Sequence, residues 1–150
     1  NLYISTDDKK IKFFIKKKLK VNLINRTKKL SQDHTKSEDV VYDFIKKVKS
    51  GYDIICLLQP TSPYRKCFDI DNAIKKMINN NSKTLISITE SIKKSFKFNG
   101  AIYLVDVIFF KRKKIFYNKK TIFYRMPKSR SLDIDTKEDF QLAKKIKLSQ

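Results

Sequence analysis

The chain has 150 residues, enough for one domain, and its 41% hydrophobic content suffices for a single buried core. Lys and Arg number 35 against 15 Asp and Glu, a formal charge of +20 that by itself points to an anionic partner. The longest apolar runs, Ile54–Leu58 and Val105–Phe110, fall far short of the roughly 20 residues that span a bilayer, and nothing at the N-terminus reads as a signal peptide, so no membrane association and a cytoplasmic location are expected.

In chain order, Leu2–Ser5 predicts a short strand, and the oxygens of Thr6, Asp7 and Asp8 can cap a helix from about Asp8 to Lys18. Val21, Leu23 and Ile24 form a second short strand, followed by a polar stretch, Asn25–Lys36, long enough to suspect function. Val40, Val41, Phe44, Ile45 and Val48 then recur at helical spacing, with Ser37 or a neighbour as N-cap and Gly51 just past the end. Asp53–Leu58 is continuously apolar after its first residue, which predicts a central strand covered on both faces of a parallel sheet.

Two prolines force the chain out of the sheet over Gln59–Lys66, and Ile70, Ala73, Ile74, Met77 and Ile78 mark a helix. Strands over Thr84–Ile88, Ala101–Val105 and Ile122–Met126, with helices from about Asp106 and Thr136, complete the pattern. The alternation of strands and helices predicts a three-layer α/β domain over residues 1–150, without internal repeat or linker.

The kind of basic residue tempers the charge. Arginine occurs only at Arg26, Arg65, Arg112, Arg125 and Arg130, and lysine supplies the rest beside abundant Ile, Asn, Phe and Tyr, a mixture that reads as AT-rich coding bias. Such lysines belong on solvated faces, whereas bidentate recognition of phosphate or carboxylate favours arginine, so no nucleic-acid partner is expected. Cys56 and Cys67 lack metal-ligand spacing and read as reduced thiols. With only Gly51 and Gly100, the chain holds neither a P-loop nor a GxGxxG turn, and any phosphate cradle in it must come from side chains. His34, the only histidine, sits in a polar loop and is assigned no role.

Ligands of open α/β sheets bind at the C-terminal ends of strands, which singles out Gln59–Arg65. Gln59 can donate to and accept from a base edge, Thr61 and Ser62 offer hydroxyls, and Arg65 can take a phosphate or carboxylate; the plain alternative is a proline-rich turn. In Asp133-Ile134-Asp135, strand alternation puts both carboxylates on one face, a sufficient protein share for Mg²⁺ beside substrate phosphates. The alternative is helix capping: Thr136 and Asp139 have capping-box spacing, which leaves Asp133 unexplained.

Six segments in order, residues 4–8 (ISTDD), Arg26 to Ser37, 57–65 (LLQPTSPYR), 69–74 (DIDNAI), 99–103 (NGAIY) and 131–140 (SLDIDTKEDF), resemble the acylneuraminate cytidylyltransferase family. The resemblance implies a Rossmann-like nucleotidyltransferase fold with a mostly parallel sheet, and transfer of CMP from CTP to a nine-carbon keto sugar acid with Mg²⁺ and release of pyrophosphate. It implies that Arg26, Ser37, Gln59, Thr61 and Ser62 contact the nucleotide, that Gln59, Arg65 and Asn99 line the sugar side, and that Asp133 and Asp135 bind metal and orient the attacking hydroxyl.

The sequence departs from the family in two places. The family's first, central strand and the glycine-rich loop that grips the triphosphate precede anything matched here, so the chain is expected to be a partial domain with an open strand edge and to be incomplete or inactive alone. Between Thr89 and Asn99 the family has a longer excursion, with arginines for the sugar carboxylate and a segment used in its homodimer; Lys93 and Lys94 remain, without the bidentate fork. Other sugar acids (pseudaminic, legionaminic or 3-deoxy-manno-octulosonic) and a non-enzymatic basic nucleic-acid-binding module are the competing readings.

Overall fold

The computed structural model describes residues 1–48, 51–90 and 96–148, and the chain divides into two compact units, residues 1–51 and 52–150.

In the first unit, β1 (Tyr3–Thr6), α1 (Lys9–Lys18) and β2 (Asn22–Asn25) form a strand-helix-strand crossover, and α2 (Ser37–Lys47) follows. The two strands pair in parallel, Tyr3 opposite Asn22 and Thr6 opposite Asn25, as a helical crossover allows. Asp8 caps α1 as its sequence suggests, its Oδ1 accepting the Ile11 N–H at 2.8 Å. The rings of Tyr3 and Phe44 meet edge to face at 5.1 Å and hold α2 on β1.

The N-cap of α2 falls on a neighbour of Ser37, as expected, while its C-terminal end differs from expectation. Lys36 occupies the N-cap without a side-chain bond, Ser37 is the first helical residue, and the helix stops at Lys47 with Val48 as C-cap, short of Gly51. Glu38 and Asp39 in the first turn and Lys46 and Lys47 in the last complement the helix dipole in place of the caps.

The second unit contains β3 (Ile54–Leu57), α3 (Cys67–Asn79), β4 (Thr84–Glu90), β5 (Phe96–Asp106), α4 (Val107–Lys113), β6 (Ile122–Met126) and α5 (Lys137–Leu148). Its sheet has the order β3-β5-β4-β6. β5 runs antiparallel to both β3 and β4, and only β4 and β6 are parallel, so the sheet is mixed rather than mostly parallel. The reason is connection length: residues 91–95 are too few for the crossover of a dozen or more residues that parallel neighbours need.

Nor is β3 central. Among the described residues it pairs with β5 alone, and its unbroken apolar run reflects two partly covered faces. Leu85 and Leu104, opposite one another on β4 and β5, are fully buried with Ala73 and Met77 of α3. On the other face Tyr103 meets Phe116 at 5.7 Å, and Phe116 meets the buried Phe110 of α4 at 5.1 Å. Helix, sheet and helix make the three layers that the alternation of elements predicts.

The β4–β5 ladder is irregular at Ser87. Ile86 is opposite Tyr103 while Ile88 is opposite Phe98, so between them the single residue Ser87 faces residues 99–102 of β5. This irregular bulge contains Gly100, in a left-handed conformation at φ +68°.

Candidate active site

The segment leaving β3 is shaped by its own arginine. The Arg65 guanidinium donates to the Gln59 carbonyl oxygen at 2.9 Å and 2.5 Å and to that of Ser62, gathering two loop carbonyls that the prolines keep out of any ladder. Burial pulls the guanidinium down from its ordinary pKa, with Cys56 and Asp133 opposing. Tyr64 donates its hydroxyl to the Ala143 carbonyl, tying the loop to α5. The loop is therefore a constrained structure, and Arg65 serves its shape first.

The bulge of β5 forms the floor. Ser87 Oγ accepts the Ile102 N–H at 2.8 Å and lies 2.5 Å from Asn99 Oδ1, satisfying backbone that the bulge removes from the ladder. Asn99 is 3% exposed and its side chain is fully engaged: Oδ1 also accepts from Ala101 N–H, and Nδ2 donates to Thr89 Oγ1 and Ser131 Oγ. Its geometry is that of a positioning residue joining β4, β5 and the segment after β6.

Over Gly100 three polar groups converge. A Cβ at this position would lie 2.6 Å from Gln59 Oε1, 2.8 Å from Asp133 Oδ2 and 3.1 Å from Ser62 Oγ. Ser62 is fully buried, with Oγ 3.0 Å from the Asn99 carbonyl oxygen and 3.3 Å from Asp133 Oδ1. The hydroxyl has one proton, so it donates to one of these acceptors at a time. The candidate residues Gln59, Ser62 and Asp133, distant in sequence, thus surround one small volume.

Residues 131–136 are not a strand, contrary to the alternation argument; the segment has no ladder, and it is anchored by the Ile134 N–H donating to the Thr61 carbonyl at 2.9 Å. Asp133 is half-buried and Asp135 exposed. The capping reading holds for the next turn: Asp139 N–H donates to Thr136 Oγ1 at 3.1 Å and Asp139 Oδ2 accepts the Thr136 N–H at 2.9 Å. The Thr136 hydroxyl, donating to Asp139 Oδ2 at 2.8 Å, and the Thr136 N–H hold the Asp139 carboxyl below its ordinary pKa, and Asp135 gives only its backbone N–H to this cap.

Arg26 and Ser37 belong to the first unit, where Arg26 donates to Ser5 Oγ and to the Ser5 carbonyl and so joins β2 to β1. That unit has a cavity of about 480 Å³ lined by His34, Asp39, Tyr42 and Asp43 among others, but by neither Arg26 nor Ser37. Lys93 and Lys94 lie outside the described residues. Two residues that the sequence leaves without a role are Gly100 and Asp69; the first, immediately before the predicted strand Ala101–Val105, falls inside the observed β5.

Among the described residues no three His, Cys, Asp or Glu side chains gather into a protein cage for a metal. Mg²⁺ does not need one, since one or two carboxylates with waters and substrate phosphates satisfy it. The donor chemistry of Asp133 and Asp135 fits that ion.

A three-layer α/β sandwich with a loop and a bulge converging at one sheet end defines a protein of the nucleotidyltransferase-like class. Its likeness to the solved 4-diphosphocytidyl-2C-methyl-D-erythritol synthase from Anaerococcus prevotii has a TM-score of 0.66 over 99% of this chain and 80% of that chain, at 14% identity, and concerns the fold alone. The family model described as cytidylyltransferase matches residues 1–149, and the chain belongs to that family. It is 26% identical to the N-acylneuraminate cytidylyltransferase of Streptococcus agalactiae serotype V, over 80% of this chain and 36% of that protein. It is 28% identical to the protein of the same name from Escherichia coli, over 79% of this chain and 35% of that one. The match thus takes in little more than a third of the length of these relatives.

Proposed function

We propose that this chain supplies the base-side and metal-side groups of a cytidylyltransferase that moves CMP from CTP to a hydroxyl of a nonulosonic, sialic-acid-like sugar acid. The observation that carries the reading is the convergence of Gln59, Ser62 and Asp133 over Gly100. In the reaction the sugar oxygen bonds to the α-phosphorus, the bond to the β-phosphate bridging oxygen breaks, pyrophosphate leaves, and the hydroxyl proton passes to a nearby base.

Gln59 offers the amide that reads a base edge, and Thr61 and Ser62 offer hydroxyls to base or ribose. Asp133 and Asp135 would hold Mg²⁺, which when bound neutralises charge at the phosphates. Asp133 is also assigned the role of orienting the attacking hydroxyl. Arg26 and Ser37 are assigned to the nucleotide, and Arg65 and Asn99 act on the sugar side through the loop and bulge that they hold. With two glycines in 150 residues there is no glycine-rich phosphate cradle, so these residues alone are expected to bind CTP without sustained turnover.

Calorimetric titration of CTP and ATP, with and without Mg²⁺, tests this reading. CTP is expected to bind more tightly than ATP and only with Mg²⁺. Equal or absent nucleotide binding, together with DNA binding that collapses between low and moderate salt, would replace it with a basic nucleic-acid-binding module. Sialic, pseudaminic, legionaminic and 3-deoxy-manno-octulosonic acids are then compared on the CTP-loaded protein.

A further inference from the structure

Asp69, the third residue of α3, is fully buried, an unusual place for a carboxylate, and its oxygens are occupied from two directions. Arg130 reaches it with both prongs of its fork, Nε to Oδ2 and Nη2 to Oδ1, each at 2.9 Å. The Lys66 N–H, at the end of the Gln59–Lys66 loop, donates to Oδ2 at 3.0 Å, and the Tyr124 hydroxyl lies 3.4 Å from Oδ1. Arg130 is further fixed over the ring of Phe68, 4.7 Å from its centroid.

One partner of this pair therefore closes the loop that carries Gln59, Thr61 and Ser62. The other ends the turn immediately before Ser131–Asp135, in the short helix Lys128–Arg130. Both segments meet again at the Ile134 N–H to Thr61 carbonyl bond and at the Ser62–Asp133 contact.

A buried ion pair contributes little net stability compared with apolar residues of similar volume, because desolvation offsets the attraction. Its geometric effect is larger, since a bidentate fork fixes distance and angle together. We propose that Asp69 and Arg130 are a positioning pair that sets the register of the metal-side segment 131–135 against the base-side loop 59–65, and so the distance from Asp133 to the nucleotide. The pair touches no reacting atom. Its functional consequence rests on the reading of Asp133 as a metal-side group.

The experiment compares the 150-residue chain with Arg130→Lys, which keeps the charge and loses the fork, and with the apolar pair Asp69→Leu/Arg130→Met. Amide hydrogen exchange is measured at Ile134 and at Leu104 in the core, the latter reporting any change in global stability. Both variants are expected to speed Ile134 exchange at least tenfold over Leu104. Where the parent binds Mg²⁺ and CTP, its affinity falls by a similar factor. Parent-like relative exchange at Ile134 in Arg130→Lys overturns the proposal, as does normal exchange in the apolar pair if it folds with parental stability. The exchange readout needs no ligand, so a parent that fails to bind CTP defeats the functional reading and leaves the positioning test intact.

Discussion

Replacing Gly100 with Ala puts a methyl group where the site converges, and the cost follows from the structure. At φ +68° an L-residue pays roughly 1–2 kcal/mol in backbone strain. The methyl would also lie 2.6 Å from Gln59 Oε1 and 2.8 Å from Asp133 Oδ2, and Ser62 Oγ stands 3.1 Å away in a fully buried position. Gln59 is a flexible side-chain end and can swing aside, whereas displacing Ser62 or Asp133 leaves a polar group unbonded, about 1–3 kcal/mol for a buried one. The sum is about 2–5 kcal/mol of stability, and with the volume filled CTP affinity falls at least tenfold. Gly51→Ala is the control, because nothing lies within 4 Å of its added Cβ, and it should be neutral or slightly stabilising. Urea unfolding of both variants measures the difference. If the two agree within about 0.5 kcal/mol, the convergence over Gly100 is not the constraint described.

Met77→Ala removes a 2%-exposed side chain between α3 and the sheet and should cost about 2–5 kcal/mol by chemical denaturation, leaving the CTP-to-ATP preference unchanged. Asp106 caps α4 through the Phe109 N–H and pairs with Lys83; burial pushes its carboxyl up, but these bonds win and hold it below the ordinary value of 3.8. Its folded pKa being depressed, its contribution is present above the unfolded value and is lost as pH falls through the folded one. Asp106→Asn keeps the cap and should flatten the melting temperature against pH below about pH 4, whereas an unchanged acid limb would count against this assignment. Burial pushes the Cys56 thiol up to about 12, with Arg65 opposing, while Cys67 is exposed. A thiol reagent at about pH 8 should therefore label Cys67 at once and Cys56 only on unfolding, as mass spectrometry of the labelled peptides will show.

Much of the fold was legible in the residues. Helical spacing located α2 and α3, Asp8 marked the start of α1, and Thr136 and Asp139 announced their capping box. What failed was pairing. A continuous apolar run such as Ile54–Leu58 says that both faces of a strand are covered, and says nothing of how many neighbours it has. Connection length was the better guide: five residues between β4 and β5 force an antiparallel pair, which makes the sheet mixed. The alternation rule failed at Asp133-Ile134-Asp135 because it presumes a ladder, and this segment is held by single bonds to Thr61 and Ser62 instead.

The candidate site was half visible. Gln59, Ser62 and Asp133 have side chains whose chemistry draws notice. Gly100 has none, and its importance appears only when the bulge opposite Ser87 shows what stands above it. Asn99 and Arg65 illustrate the reverse: both types suggest ligand contact, yet hydrogen bonds within the protein commit Asn99 to the bulge and Arg65 to its own loop. Asp69 sits in a helical pattern among apolar residues, and its long-range partner Arg130 cannot be inferred from spacing.

Amide chemical-shift mapping of CTP with Mg²⁺ on the isotopically labelled chain tests the location of the site directly. The largest shifts are expected at Ser62, Gly100 and Ile134, with losses in Asp133→Asn. Shifts spread over lysine-rich surfaces, confined to the cavity around His34, or independent of Mg²⁺ would contradict a nucleotide site over Gly100.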